Sequence, residues 1–153
     1  MPVVVGQPVP DFSAESTAGT VRLADYAGRH LVLYFYPKDN TPGCTAESMD
    51  FRDRHDQFVA AGAAILGVSR DSIRSHEGFK SKLGLPFELV SDADERLCTE
   101  YDVIKQKNMY GKKVRGIERS TFLIGPTGTL LREWRGLKVP GHVDEVLAAV
   151  RES

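Results

Sequence analysis

Cys44 is the side chain in this sequence best placed to do chemistry. It closes the stretch Pro37-Lys38-Asp39-Asn40-Thr41-Pro42-Gly43-Cys44, directly after the apolar run Leu31-Val32-Leu33-Tyr34-Phe35-Tyr36. The thiolate, not the thiol, is the nucleophile, so reactivity depends on what stabilises the anion. An ordinary cysteine is only about 3% thiolate at pH 7. Making the anion predominate takes roughly 3.4 kcal/mol, and a helix N-terminus supplies at most about 2. A cation beside the sulfur is therefore implied. Ionisation alone is not enough either, because a less basic thiolate is a weaker nucleophile. Donors arranged around the charge developing on the substrate must supply the remaining rate.

The elements that must position this thiol can be read from the pattern around it. Leu31 to Tyr36 reads as a buried strand that Pro37 ends. Thr41-Pro42 reads as a helix opening, with Thr as N-cap and Pro at the first helical position, which puts Cys44 in the first turn among free backbone N–H groups. Met49, Phe51, Phe58 and Val59 recur among charged residues and predict one helix with a face against a sheet. Residues 63–69 read as a second buried strand, 72–83 as a helix with Ile73, Phe79 and Leu83 inward, 87–90 as a strand and 94–102 as a short helix. Two strands over 120–124 and 129–134 flank the turn Gly125-Pro126-Thr127-Gly128, and Val143, Val146, Leu147 and Val150 stripe a last helix. Asp11-Phe12-Ser13 and Val21-Arg22-Leu23 around Ala18-Gly19-Thr20 suggest a short hairpin near the start. The order predicts an α/β protein, a thioredoxin-like fold with a mixed central sheet flanked by helices. Val103 to Glu118 reads as one extended loop, of a length that is often functional.

Composition narrows the function classes. With 153 residues, 41% of them hydrophobic, residues 1–153 are expected to form a single domain with a substantial core. A net charge of -1, from 20 basic and 21 acidic side chains, gives no global attraction to nucleic acid or to an anionic membrane. No segment reads as a signal peptide or a transmembrane helix. Only two cysteines are present, each in a helix-like context, so a reducing, cytoplasmic setting is expected. His30, His55, His76 and His142 show no metal-ligand spacing among themselves or with the cysteines, and His142, ahead of the last helix, reads as structural. Lys105, Lys107, Lys112, Lys113 and Arg115 form a basic segment without a nucleic-acid recognition motif; it reads as a solvated loop that could attract an acidic redoxin or a thiol anion.

Pro37-x-x-x-Thr41-x-x-Cys44 resembles the active-site motif of the peroxiredoxins, and Thr41-Pro42-Gly43-Cys44-Thr45 is most similar to the bacterioferritin comigratory protein, or peroxiredoxin Q, branch. The likeness continues through Glu47, Leu89-Val90-Ser91-Asp92, Met109-Tyr110-Gly111-Lys112 and Gly116-Ile117-Glu118-Arg119-Ser120-Thr121-Phe122-Leu123-Ile124 to Gly141-His142-Val143. It implies a thiol-dependent peroxidase with no metal, haem or flavin cofactor. Cys44 would attack the terminal oxygen of hydrogen peroxide or an organic hydroperoxide and become a sulfenic acid. By the same resemblance Thr41 would orient thiolate and substrate through its hydroxyl, Pro37 would shield the sulfur, and Arg119 would be the missing cation. The Gly43 and Cys44 N–H groups would complete the donors, and Glu47 would orient the network rather than transfer a proton. Taken singly, Thr41 could be only an N-cap, Arg119 a surface-paired arginine and Glu47 a helix-start carboxylate.

Many relatives carry a resolving cysteine five residues after the peroxidatic one, where this chain has Met49. Others place it in the next helix, and residues 72–83 contain none. Cys98 remains, at the edge of the face formed by Leu97 and Tyr101, where it reads as a half-buried structural thiol. The expected cycle therefore uses one cysteine, with thioredoxin, glutaredoxin or a low-molecular-weight thiol as reductant. A two-cysteine cycle through Cys98 is the alternative and would need local unfolding to bring the sulfurs together. The branch resemblance favours a monomer. Two rivals are a disulfide oxidoreductase, which Cys44-Thr45-Ala46-Glu47 disfavours by lacking a second cysteine, and a non-catalytic binding or chaperone module on the same fold.

Overall fold

The computed structural model describes residues 2–153; Met1, the first residue of the N-terminal stretch, lies outside them. Strands β1 (Ser13–Ser16) and β2 (Gly19–Arg22) form the opening hairpin, paired Ser13 with Arg22. The order then runs β3 (His30–Phe35), α1 (Pro42–Asp53), α2 (His55–Ala60), β4 (Ala63–Ser69), α3 (Ile73–Leu83), β5 (Glu88–Ser91) and α4 (Arg96–Glu100). It ends with β6 (Ile104–Met109), β7 (Lys112–Ile117), β8 (Ser120–Ile124), β9 (Leu130–Arg135) and α5 (His142–Glu152).

Seven strands make one sheet in the order β2-β1-β5-β4-β3-β8-β9. β3, β4 and β5 are parallel, while β8 runs antiparallel to β3 and β9 to β8, which is the mixed sheet expected. β3 lies near the centre, and its alternation divides the core. Leu31, Leu33 and Phe35 enter one cluster, and Val32, Tyr34 and Tyr36 enter the other. Both faces are covered, so the run needs no polar positions. On the second face Tyr34 stacks on Phe51 with centroids 4.6 Å apart and meets Ser48 Oγ at 2.9 Å through its hydroxyl. Gly67 makes room for that ring: a Cβ there would stand 2.8 Å from Tyr34 Cζ and 2.7 Å from Leu89 Cδ2.

Two expectations need correction. The helix after Cys44 does not run unbroken to Val59. Arg54 (φ -110, ψ 8) separates α1 from α2, and Val59 is exposed. The Arg54 side chain ties the break to α5 through an ion pair with Asp144. Residues 103–118 are not a loop: β6 and β7 pair along their length, Ile104 with Ile117 through Met109 with Lys112, as a separate two-stranded sheet. Positive φ at both Tyr110 (53°) and Gly111 (77°) gives the turn the twist a tight hairpin needs. These strands are polar and largely exposed, so no apolar alternation announces them.

The β6–β7 hairpin fixes where Arg119 emerges. Glu118 N–H is anchored on the Val103 carbonyl at 2.7 Å, and Ser120 pairs with Phe35. Arg119 is thus delivered beside the end of β3, where the chain turns toward α1. Among the described residues no helix is long and apolar enough to cross a membrane.

Candidate active site

Pro37 follows β3 and is exposed, the chain turns through Asn40 in the left-handed region (φ 64), and α1 starts at Pro42. Thr41 has N-cap backbone geometry (φ -89, ψ 152), but its side chain does not cap the helix. Its hydroxyl donates to the Lys38 carbonyl at 2.7 Å. The first-turn N–H groups of Gly43 and Cys44 therefore keep no side-chain acceptor from the cap, and the Thr41 oxygen has only lone pairs left to offer.

Cys44 is 1% exposed. Arg119 Nη2 lies 3.3 Å from its Sγ, and Arg119 Nη1 donates to Glu47 Oε1 at 2.7 Å. The guanidinium thus bridges a thiol in the first turn of α1 and a carboxylate three residues later on the same helix face. Gly43 leaves room for this approach: a Cβ there would stand 3.1 Å from Arg119 Nη2, and the guanidinium would have to give by a few tenths of an ångström. Burial works against the charge of Arg119, but Glu47 and Cys44 outweigh it and hold its pKa above the ordinary value. Glu47 is completely buried, and its Oε2 has no hydrogen-bond partner among the described residues. Burial raises its pKa from 4.5 to about 7, against the opposing pull of Arg119. His142 sits close by at the head of α5, its Nε2 2.8 Å from Thr121 Oγ1. Burial lowers its pKa to about 4, with Glu145 resisting and Arg119 assisting, so it is neutral at physiological pH.

The structure therefore brings Cys44, Arg119, Glu47 and Gly43 together, with Thr41 three residues before the thiol and Pro37 on the solvent side of the loop. Cys98 is elsewhere. It is fully buried in the cluster on the opposite face of the sheet from Cys44, not half-buried. Burial and the neighbouring Asp92 carboxylate push its thiol well above the ordinary range.

A buried polar cluster beneath the loop escaped sequence reasoning. Asp39 and His76, with side chains 1% and 0% exposed, pair at 2.8 Å, and Tyr36, Ser75, Ser69 and Asp71 surround them. Three ligand-type atoms of Asp39, Asp71 and His76 lie within 4.8 Å of one another. His76 Nδ1 faces Asp39 Oδ2 and its Nε2 faces the Val90 carbonyl at 2.9 Å, so both ring nitrogens are engaged within the fold. A usable signal existed: His76 stands three residues from both Ile73 and Phe79, on the inward stripe of α3.

A buried thiol at a helix start, beneath a guanidinium held by a buried carboxylate on a thioredoxin-like sheet, defines a peroxiredoxin, a thiol-dependent peroxidase. The chain belongs to the AhpC/TSA family, whose family model matches residues 5–132. Its relatives include proteins named peroxiredoxin Bcp. It is 56% identical over 142 residues to peroxiredoxin Bcp of Xanthomonas campestris, covering 92% of this chain and 89% of that protein. It is 49% identical over 153 residues to peroxiredoxin Bcp of Bacillus subtilis, covering 99% and 98%. A solved structure of X. campestris peroxiredoxin Q superposes with a TM-score of 0.91 at 52% identity over 97% of both chains. A second, of the X. campestris bacterioferritin comigratory protein studied for alkyl peroxide reduction, gives 0.91 at 51% identity over 97% and 98%.

Proposed function

We propose that Cys44 reduces hydrogen peroxide and organic hydroperoxides in a one-cysteine cycle completed by an external thiol. The contact that carries this reading is Arg119 Nη2 at 3.3 Å from Cys44 Sγ, with Glu47 fixing the other arm of the guanidinium. The thiolate electron pair forms a bond to the terminal peroxide oxygen, the O–O bond breaks, and the departing oxygen takes up the proton released when the thiol ionised. The products are a Cys44 sulfenic acid and water or an alcohol. Arg119 and the Gly43 and Cys44 N–H groups stabilise the charge that moves onto the departing oxygen. The Thr41 hydroxyl, already donating to Lys38, accepts from the peroxide O–H. Pro37 limits access of bulk water from the outer side of the loop, and Glu47 orients Arg119.

The sulfenic acid then condenses with an incoming thiol to give a mixed disulfide and water, and a second thiol releases reduced Cys44. Thioredoxin, glutaredoxin or a low-molecular-weight thiol can fill this role. The opposite-face placement of Cys98 supports external resolution over a Cys44–Cys98 disulfide, whose Cα atoms would have to come within about 6 Å. We further propose that residues 1–153 act as one domain, as a monomer, in the reducing cytoplasm, where two unpaired cysteines are stable. The test is one equivalent of peroxide followed by a small thiol, with intact mass read after each addition. The reading requires one added oxygen on Cys44 and then the mass of the thiol adduct. An intramolecular disulfide at the first step would sink the one-cysteine cycle, and no oxidation faster than that of free cysteine would sink the assignment of Cys44.

A further inference from the structure

Asp39 lies midway between the end of β3 and Thr41, and it is tied down from every side. Its Oδ1 accepts from the Tyr36 hydroxyl at 2.7 Å, and its Oδ2 accepts from Ser75 Oγ and His76 Nδ1, both at 2.8 Å. Its own N–H donates to Asp71 Oδ2 at 2.9 Å, and Ser69 Oγ donates to the same oxygen at 2.6 Å. The loop is thereby fastened to the ends of β3 and β4 and to the first turn of α3. His76 Nε2 is 2.9 Å from the Val90 carbonyl, which can only accept, while Nδ1 faces a carboxylate. The His76 ring is thus held at both nitrogens, between a carboxylate on the loop and a carbonyl of β5. The next residue, Asn40, is in the left-handed region, and the one after it is Thr41. A loop holding a sparsely populated backbone conformation needs such fastening to keep one geometry.

We propose that Asp39 and His76 are positioning residues of the peroxidase reaction, a buried clamp that holds the 38–41 loop, and with it the Thr41 oxygen and the first turn of α1, in the geometry for attack on the peroxide. The inference rests on Cys44 being the nucleophile. The two halves of the cycle make opposite demands on the clamp. A peroxide is small and reacts with the loop closed. A thiol reductant must reach a sulfur whose residue is 1% exposed, which the closed loop obstructs. Loosening the clamp therefore slows oxidation of Cys44 without slowing, and even while speeding, reduction of its sulfenic acid. A residue needed only for folding gives no such split.

The experiment measures the two half-reactions separately in wild-type protein and in His76→Gln, Asp39→Asn and the double variant. Quenched peroxide oxidation is read by intact mass, and reduction of the pre-oxidised protein by dithiothreitol is read in the same way. Expected are about tenfold slower oxidation in each single variant, no further loss in the double variant because the pair acts as a unit, and reduction at least as fast as wild type. Oxidation at the wild-type rate, equal slowing of both half-reactions, or additive losses in the double variant would each overturn the clamp. If the His76 or Asp39 variants do not fold, Ser75→Ala, which removes a single partly buried hydroxyl from Asp39, takes their place. A two- to threefold slower oxidation with unchanged reduction supports the proposal, and no change in either step overturns it. Wild-type protein that fails to oxidise at Cys44 would instead refute the catalytic reading beneath the inference.

Discussion

Arg119 directs Nη1 at Glu47 and Nη2 at Cys44, so the charge state of the carboxylate bears on how firmly the guanidinium is held against the sulfur. Replacing Arg119 by Lys keeps a cation and loses the planar fork. Peroxide oxidation of Cys44 in Arg119→Lys is expected to fall by about 100-fold, the size of effect seen when one donor to a developing charge is lost, with rapid-quench oxidation as the readout. Glu47 makes a signed pH prediction. Its pKa is raised from 4.5 to about 7, so between those values the folded chain keeps a proton that the unfolded chain has released. Its stability contribution is thus full below about 4.5 and is lost as pH rises through about 7. Activity has the opposite sign, because only the carboxylate makes the ion pair with Arg119. Glu47→Gln should therefore be more stable than wild type to urea at pH 8 and oxidise about tenfold more slowly there, with both differences shrinking toward pH 6. A wild-type to variant rate ratio that does not change with pH would refute this role for Glu47.

The elements that carry the site are built with little slack. Gly67 in β4 admits the Tyr34 ring, whose hydroxyl meets Ser48 on α1. Gly67→Ala overpacks this contact and should cost about 1–3 kcal/mol in denaturant unfolding. At the head of α5, His142 is buried and has its pKa lowered to about 4, so its stabilising contribution is present above its ordinary 6.5 and is lost as pH falls toward 4. His142→Gln should flatten the acid limb of the stability curve over that window. Much of this framework was legible because burial on both faces leaves continuous apolar runs, as in residues 31–36 and 63–69, and because Thr41-Pro42 marks a helix start. The β6–β7 hairpin was not legible, since its strands bury little and their alternation carries no hydropathy signal. The break at Arg54 was hidden because no Gly or Pro marks it, and the Asp144 partner of Arg54 lies on α5, distant in sequence. A cation beside Cys44 could be anticipated from the energetics of the thiolate, but it was the peroxiredoxin resemblance that pointed to Arg119. The Asp39 and His76 pair could not be anticipated, because one polar residue in a loop and one on an apolar helical stripe reveal their match only once β4 and α3 bring them together.

At the scale of the molecule, the sheet keeps its two thiols apart, Cys44 in one core cluster and Cys98 in the other. Cys98→Ser is expected to leave peroxide turnover with an external thiol unchanged, whereas Cys44→Ser abolishes it; loss of reductant-dependent cycling in Cys98→Ser would make Cys98 the resolver. Charge is unevenly spread as well. Between Ile104 and Ile117 stand five basic side chains and no acidic one, in a chain of net charge -1. Lys105 and Arg115 are tied to Asp102 and Glu95, while Lys107, Lys112 and Lys113 form no ion pair among the described residues. Reversing those three charges should slow turnover with an acidic redoxin about tenfold at low salt, converge with wild type at high salt, and leave the peroxide step untouched.

The separation of the thiols also bears on how long the protein survives in use. In the one-cysteine cycle proposed above, the lifetime of the Cys44 sulfenic acid would be set by the supply of thiol in the surrounding solution. A second peroxide competes for that same intermediate and carries it to the sulfinic acid, from which ordinary thiols do not return it. Resistance to inactivation is then a ratio of two concentrations outside the protein, and the working population becomes a running record of how well the local thiol pool keeps pace with peroxide.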